Sequence, residues 1–223
     1  MGEPSADPSS SSPRTHSQPY TISMIPQTPE GITIYLNHYR PFRLKMLELS
    51  PEAFLTTHST ASSFLQSTWE SRLLNPLGRT FFATNSETNK SEILSSLTLW
   101  RNAPNSINWE ITALYTLPSA RRQGIAAALI KSAEDYAVQQ MRSEAEGEPE
   151  REEFCILSLA VRKKGNNVAK VTKFYEKVGF FIVGSENEQN DQGGVVWFEK
   201  KVGILRRKNR RIRPRGMKYN SAI

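Results

Sequence analysis

The chain has 223 residues, a length suited to one folded domain with tails, and its 38% hydrophobic and 23% charged residues are ordinary for a globular protein. No window approaches the ~18 consecutive apolar residues of a membrane-spanning helix, and the N-terminus lacks the apolar core of a secretory signal. The formal charge of +7 is uneven, because residues 200–223 hold ten Lys or Arg and no acid, against 19 basic and 22 acidic residues elsewhere. We therefore expect an intracellular, cytoplasmic protein without a membrane partner, and a body that is not a nucleic-acid-binding fold.

Both ends of the chain are predicted to lie outside the folded domain. Residues 1–19 contain six serines and four prolines without apolar periodicity, and residues 1–30 are assigned to a disordered tail. Residues 203–223 form a basic C-terminal tail. For this tail a plain solvated extension, a nuclear-import signal and an anchor for nucleic acid or an acidic protein all remain open. The folded domain is then residues 31–202.

The first half of the domain is predicted to contain one strand, two helices and a hairpin. Residues 32–36 alternate apolar and polar side chains, as a half-buried strand does. Two helices follow, each with apolar residues at helical spacing: Phe42, Met46 and Leu49 after Pro41, then Leu65, Trp69 and Leu73 before Pro76. Residues 79–84 and 93–100 are rich in β-forming residues and predict a hairpin.

The second half alternates strands and helices around an acidic loop. Its predicted elements are a strand at 107–117, a helix at 125–137, a strand at 154–161, a helix at 168–178 and strands at 180–183 and 195–202. Six glutamates crowd residues 144–153, and we expect a solvated loop over residues 142–153. This order of elements predicts an α/β domain, with a mixed sheet flanked by helices.

The segment between the 107–117 strand and the next helix has the residues of a phosphate site. A strand that breaks into a glycine-containing turn before a helix presents unpaired backbone N–H groups to an anion. Gly124 lets the main chain approach a ligand, Ala126 keeps the next turn small, and Arg121 and Arg122 add positive charge. The pattern fits the pyrophosphate of a cofactor, and a plain helix start with a basic turn explains it as well.

Two motifs then resemble a known family. The pattern Pro118-x-x-Arg121-x-x-Gly124-x-Ala126 is similar to the acyl-CoA-binding motif R/Q-x-x-G-x-G/A of the GNAT acetyltransferase superfamily. Residues 174–180, Phe-Tyr-Glu-Lys-Val-Gly-Phe, resemble the family's aromatic-Tyr-x-Lys-x-Gly-Phe ending, and residues 50–54 with Trp69 resemble its acceptor-side helices. The likeness covers roughly residues 32–202. It implies a GNAT-like α/β fold, with about seven strands in a mixed, largely antiparallel sheet flanked by about four helices.

The resemblance also implies acetyl-CoA as co-substrate and a set of residues that bind it. Backbone amides of the turn would hold the pyrophosphate, and main-chain groups of the preceding strand would pair with the pantetheine arm. Val168 occupies the position where relatives often carry Asn, so an asparagine contact is assigned to Asn167, with Asn166 as the alternative. The implied cofactor-binding residues are Tyr115, Thr116, Leu117, Arg121, Arg122, Gln123, Gly124, Ile125, Ala126 and Asn167.

Two catalytic residues are implied in the same way. Glu110 lies eleven residues before Arg121, where several relatives carry the carboxylate that deprotonates the acceptor amine. Tyr175 matches the tyrosine that protonates the departing CoA thiolate. A strand amide near Leu117 is a candidate for stabilising the oxyanion of a direct transfer in a ternary complex. A solvated strand residue for Glu110 and a packed core residue for Tyr175 are the alternatives.

The remaining candidate chemistry is sparse. Cys155 lies in an apolar run and is predicted to be a buried strand residue, while His38 and His58 have no partners at ligand spacing, so no metal site is expected. The acceptor is an unidentified primary amine: small amines, peptide N-termini and lysines remain open. Two rival functions also remain, a non-catalytic acetyl-CoA-binding sensor or scaffold and a binder that works through the basic tail.

Overall fold

A seven-stranded sheet forms the centre of the protein. The computed structural model describes residues 20–86, 92–144, 154–163, 168–186 and 194–203. The strands are β1 (Tyr20–Met24), β2 (Gly78–Asn85), β3 (Ile93–Arg101), β4 (Asn108–Thr116), β5 (Phe154–Arg162), β6 (Phe181–Glu186) and β7 (Val195–Gly203). Their order across the sheet is β1-β2-β3-β4-β5-β7-β6, and only the β4–β5 pair is parallel. This confirms the predicted α/β class with a mixed, largely antiparallel sheet.

Helices cover both faces of the sheet. They are α1 (Pro29–Ile34), α2 (Arg40–Leu49), α3 (His58–Ser62), α4 (Gln66–Leu74), α5 (Ile125–Glu144) and α6 (Val168–Lys177). A π-helical turn, Tyr35–Tyr39, joins α1 to α2 in one continuous run. Apolar side chains of α5 and α6 pack in one core with Phe81, and those of α1 to α4 pack in a second core with Phe82, its neighbour on the opposite face. No helix among the described residues is long and apolar enough to cross a membrane.

The N-terminal part of the domain corrects two predictions. Residues 32–36 are helical rather than a strand: Thr28 caps α1 by accepting from the Gly31 N–H, and the buried residues Gly31, Tyr35 and Tyr39 recur every four positions. The apolar residues whose alternation predicts a strand, Ile32, Ile34 and Leu36, are only half-buried. The first strand is instead β1, which lies within residues 1–30 and pairs with β2. The prediction of a disordered tail over residues 1–30 is therefore wrong from Tyr20 onward.

Most other elements are confirmed, with shifted ends. The hairpin β2–β3, the strands β4 and β5, both later helices and the last two strands lie where the sequence predicts them. Helix α5 runs to Glu144 and so takes in the start of the predicted acidic loop, and β7 runs to Gly203, one residue past the predicted domain end. The rest of that loop, residues 145–153, lies outside the described residues, as do residues 1–19 and 204–223.

A partly buried ion pair connects β7 to both helices of one face. The Lys200 ammonium donates to the Glu134 carboxylate on α5 at 2.5 Å and to the Val178 carbonyl, just after α6, at 2.7 Å. The Glu134 side chain is 6% exposed and that of Lys200 is 23% exposed. Removing one partner of such a pair leaves a buried charge without compensation, which costs far more than the intact pair contributes.

We therefore expect Lys200→Met to lower the free energy of unfolding by about 3 kcal/mol. Lys131→Met is the matched control, because Lys131 also bonds a carboxylate at 2.5 Å, but Lys131 and Asp135 are 67% and 63% exposed. Its loss should stay below about 0.5 kcal/mol. Adding Glu134→Leu to Lys200→Met should restore part of the stability. Equal losses in the two single variants, measured by urea unfolding, would contradict this assignment.

Candidate active site

Strands β4 and β5 separate along their length. Their ladder contains three residue pairs, from Asn108–Ile156 to Glu110–Ser158, whereas β5 continues to pair with β7 as far as Arg162. Beyond Glu110 the two neighbouring strands are not paired with each other, and a split opens between residues 111–116 and 159–162. Main-chain groups of β4 that face this split are free to pair with an extended ligand.

A bulge in β4 accounts for the separation. In the β3–β4 ladder Thr98 pairs with Thr112 and Ser96 with Tyr115, so Leu97 alone opposes two residues of β4. The first of these, Ala113, has a φ of +54°, in the left-handed region. A bulge bends its strand and increases the local twist. The end of β4 therefore stays paired with β3 and turns away from β5.

The main-chain groups at the end of β4 divide between β3 and the split. The Leu117 N–H donates to the Leu94 carbonyl at 2.9 Å, and the Leu117 carbonyl accepts from the Ala120 N–H. The Tyr115 carbonyl accepts from the Ser95 hydroxyl on β3. Because successive residues of a strand point their main-chain groups to opposite sides, those of Thr116 face the split. The Leu117 amide is thus excluded as an oxyanion donor, and Thr116 is the predicted residue that can pair with an arm in the split.

The turn after β4 has the shape of an anion site. A single 3-10 turn, Pro118–Ala120, leads to Arg122 and Gly124, whose φ values are +66° and +80°. Arg121 before them is extended, so these left-handed residues turn the chain from the strand end directly into α5. The Ala128 N–H donates to the Gly124 carbonyl, which leaves the N–H groups before it, at the start of the 20-residue helix α5, without helical partners. Residues 121–124 are exposed, and buried Ile125 anchors the helix.

The two arginines of the turn are placed differently. Arg121 folds back on the end of β4: its Nε donates to the Thr116 carbonyl at 3.2 Å, and its guanidinium lies 5.7 Å from the centre of the Tyr115 ring. It therefore brings positive charge to the mouth of the split rather than to the helix start. Arg122 and Gln123 remain exposed on the turn itself.

Glu110 stands at the closed end of the split. It is the last residue of β4 that pairs with β5, and its side chain is exposed on the face opposite to buried Trp109 and Ile111. Glu110 pairs with Trp100 on β3 and with Ser158 on β5. Ser158 in turn pairs with Glu199 on β7. Because its side chain is exposed, the Glu110 carboxylate is accessible to an amine at the closed end of the split.

Tyr175 lies in the core on the α5 and α6 face. Its ring packs against Phe174, Phe180 and Phe198, with centroid distances of 5.2, 5.9 and 5.4 Å. Burial raises the pKa of the Tyr175 phenol well above its usual value, so the group stays protonated at neutral pH. Among the described residues none forms a hydrogen bond with this hydroxyl. The packing role is thus realised, and the role as an acid stays a prediction. Asn167 lies outside the described residues.

Residues 50–54, which resemble the acceptor-side helices of the family, contact both strands that border the split. The Phe54 carbonyl, between α2 and α3, accepts from Arg162 Nη1 of β5 at 2.9 Å, and the Phe54 ring packs edge-on against Tyr115 of β4. The Ser50 and Tyr115 hydroxyls lie 3.4 Å apart. The contact to Arg162 was missed, because no local pattern connects the segment after α2 with β5.

The other reactive groups are unsuited to catalysis. Cys155 is fully buried on β5, and burial raises the pKa of its thiol to about 11. In the part of the chain that the structure describes, no group of three or more His, Cys, Asp or Glu side chains is placed to hold a metal ion. The exposed turn, the split and Glu110 together form the candidate site.

Comparisons with known proteins identify the family of the chain. The sequence profile described as Acetyltransferase (GNAT) family matches residues 43–180, more than half of the chain, and the protein belongs to that family. A search of curated protein sequences finds no match.

Solved structures show the same fold at low identity. A mutant of the spermidine N-acetyltransferase SpeG from Vibrio cholerae is similar with a TM-score of 0.58 and 14% identity, over 83% of this chain and 95% of that one. The ribosomal-protein-S18-alanine N-acetyltransferase from Escherichia coli is similar with a TM-score of 0.52 and 13% identity, over 85% and 97%.

The bulge makes a direct prediction for stability. An L-residue in the left-handed region costs roughly 1 kcal/mol, which glycine avoids. We expect Ala113→Gly to leave the free energy of unfolding unchanged or to raise it by up to about 1 kcal/mol. Ala160→Gly in the regular part of β5 is the control, since Ala160 pairs with Trp197 without a positive φ, and it should lose about 0.5–1 kcal/mol. Equal losses would show that Ala113 is not strained.

Proposed function

We propose that this protein transfers an acetyl group from acetyl-CoA to a primary amine by direct attack in a ternary complex. The observation that carries the proposal is the split between β4 and β5, which opens onto a turn with two left-handed residues at the start of α5. The unpaired N–H groups at the start of a long helix bind phosphate, and an unpaired strand edge binds an extended amide chain. Acetyl-CoA carries both groups in one molecule.

The residues present fit this co-substrate. Main-chain N–H groups of residues 122–126 would hold the pyrophosphate, the exposed Arg122 would add charge, and Thr116 would pair with the pantetheine arm. The thioester supplies an activated acyl carbon with a thiolate leaving group. Arg121, fixed on the Thr116 carbonyl, would keep the mouth of the split positive.

Glu110 and Tyr175 are the proposed acid–base pair. Glu110, exposed at the closed end of the split, would take a proton from the ammonium form of the acceptor, directly or through water. The amine nitrogen then forms a bond to the acyl carbon, the carbon–sulfur bond breaks, and the nitrogen gives its second proton to water. Tyr175 would give its proton to the departing thiolate. Burial, which keeps the Tyr175 phenol protonated, supports this role. The similar structures are named for spermidine and for an alanine of a ribosomal protein, so both kinds of amine belong in an acceptor screen.

The first test is calorimetric titration with acetyl-CoA of the wild type and of Gly124→Glu. The variant places bulk and negative charge at the turn, and like charges in contact cost several kcal/mol, so we expect affinity to fall by more than about 100-fold. Gly179→Ala is the control, because Gly179 also has a positive φ but contacts Lys200 rather than the turn. It should bind acetyl-CoA as the wild type does. A folded wild type that binds no acetyl-CoA would refute the proposal, and binding without turnover of any amine would favour a sensor.

The second test compares kcat in Glu110→Gln and Tyr175→Phe, with spermidine, free lysine and a peptide with N-terminal alanine as acceptors. Loss of a general acid or base lowers kcat by about 100-fold or more, and neither change should alter the affinity for acetyl-CoA. Tyr39→Phe is the control, since the Tyr39 hydroxyl contacts Thr98 in the other core.

Because burial raises the Tyr175 pKa, the wild type should lose no activity through ionisation of Tyr175 below about pH 10. Unchanged kcat in either variant would remove that residue from the mechanism.

A further inference from the structure

Tyr20 lies beside the turn that precedes α5, although it is far from that turn in the sequence. It opens β1 and pairs with Asn85 at the end of β2. The next pairings, Thr84 with Ile93 and Ser95 with Thr116, carry the same edge of the sheet across to the end of β4. The sheet thus brings the start of β1 to the place where the chain leaves β4 for the turn.

The Tyr20 side chain directs its hydroxyl at the turn. The residue is only 7% exposed, and its ring belongs to the core that contains Ala120 and Ile125, which flank the turn. The hydroxyl oxygen lies 3.8 Å from the position that a Cβ on Gly124 would occupy. Apart from neighbours in the chain, no other heavy atom of the described residues lies within 4 Å of that position. The phenol therefore borders an otherwise open space above Gly124.

No hydrogen bond among the described residues involves this hydroxyl. Tyrosine hydroxyls on buried rings normally have a partner. The same turn carries the N–H groups at the start of α5, which have no helical acceptor because the first one, the Gly124 carbonyl, accepts from Ala128. Two independent parts of the chain, β1 and the turn, thus place hydrogen-bond donors close to one another. An anion that accepts from both completes the arrangement.

We propose that the Tyr20 hydroxyl donates a hydrogen bond to a phosphate group of acetyl-CoA held on this turn. The inference rests on the proposed function and adds a binding residue to the same site. It makes β1, which carries none of the motifs, part of the co-substrate site. The contact is charge-assisted, because the acceptor is a phosphate oxygen, and it strengthens affinity without taking part in the chemistry.

The test is calorimetric titration of Tyr20→Phe, which removes one oxygen and keeps the buried ring. Loss of a hydrogen bond to a charged group should raise the Kd for acetyl-CoA about tenfold. Tyr136→Phe is the matched control: Tyr136 lies on α5, three helical turns beyond Ile125, and packs on Phe81 and Trp109, so this variant should bind within about twofold of the wild type. Both variants should keep the wild-type Tm without ligand.

Titration with dephospho-CoA, which keeps the pyrophosphate and lacks the 3′-phosphate, identifies the phosphate concerned. An equal loss for both ligands assigns the contact to the pyrophosphate, and a loss seen only with acetyl-CoA assigns it to the 3′-phosphate. Wild-type affinity of Tyr20→Phe for both ligands, while Gly124→Glu binds neither, would overturn the inference and leave the proposed function standing. A wild type that binds neither ligand would overturn both.

Discussion

The separation of β4 from β5 is the constraint on which the rest of the structure depends. These strands form the only parallel pair in the described sheet, and their ladder contains three residue pairs. The bulge at Ala113 holds the end of β4 on β3, so the split is built into the strand rather than left by a missing neighbour. A sheet interrupted in this way exposes main-chain groups that must find partners. In the proposed function an extended co-substrate supplies them, which would explain why a stable fold keeps such an opening.

The split also divides the sheet mechanically, and contacts on both faces hold the halves together. On one face α5 crosses from the end of β4 to β5, and Glu134 on that helix binds Lys200 of β7. On the other face Phe54 touches Tyr115 of β4 and accepts from Arg162 of β5. Contacts on both faces of the sheet thus fix the distance between β4 and β5. A site that must hold reacting groups in register gains from this bracing.

Electrostatics at the open end follow from backbone geometry more than from net charge. The turn offers N–H groups because Arg122 and Gly124 adopt left-handed conformations and α5 begins immediately afterwards. Arg121 is occupied with the Thr116 carbonyl, and the Tyr20 hydroxyl lies over Gly124. Donors from the turn and from β1 therefore lie near Gly124, while the Arg121 charge lies at the mouth of the split. Local geometry thus favours an anion in a part of the chain, before residue 200, where 22 acidic residues outnumber 19 basic ones.

The amino-acid sequence predicts the elements whose signals are local. The glycine turn before α5, the apolar spacing of α5 and α6, the β2–β3 hairpin and the position of Glu110 eleven residues before Arg121 all follow from residues near one another in the chain. It misassigned the segment around α1, because half-buried Ile32, Ile34 and Leu36 alternate as a strand does while the buried residues keep a helical period. The folded structure was needed to show that Tyr20 opens a strand and reaches Gly124, and that Arg162 binds Phe54. Those contacts join residues distant in sequence, and they form because sheet pairing and core packing bring them together, which no short-range pattern encodes.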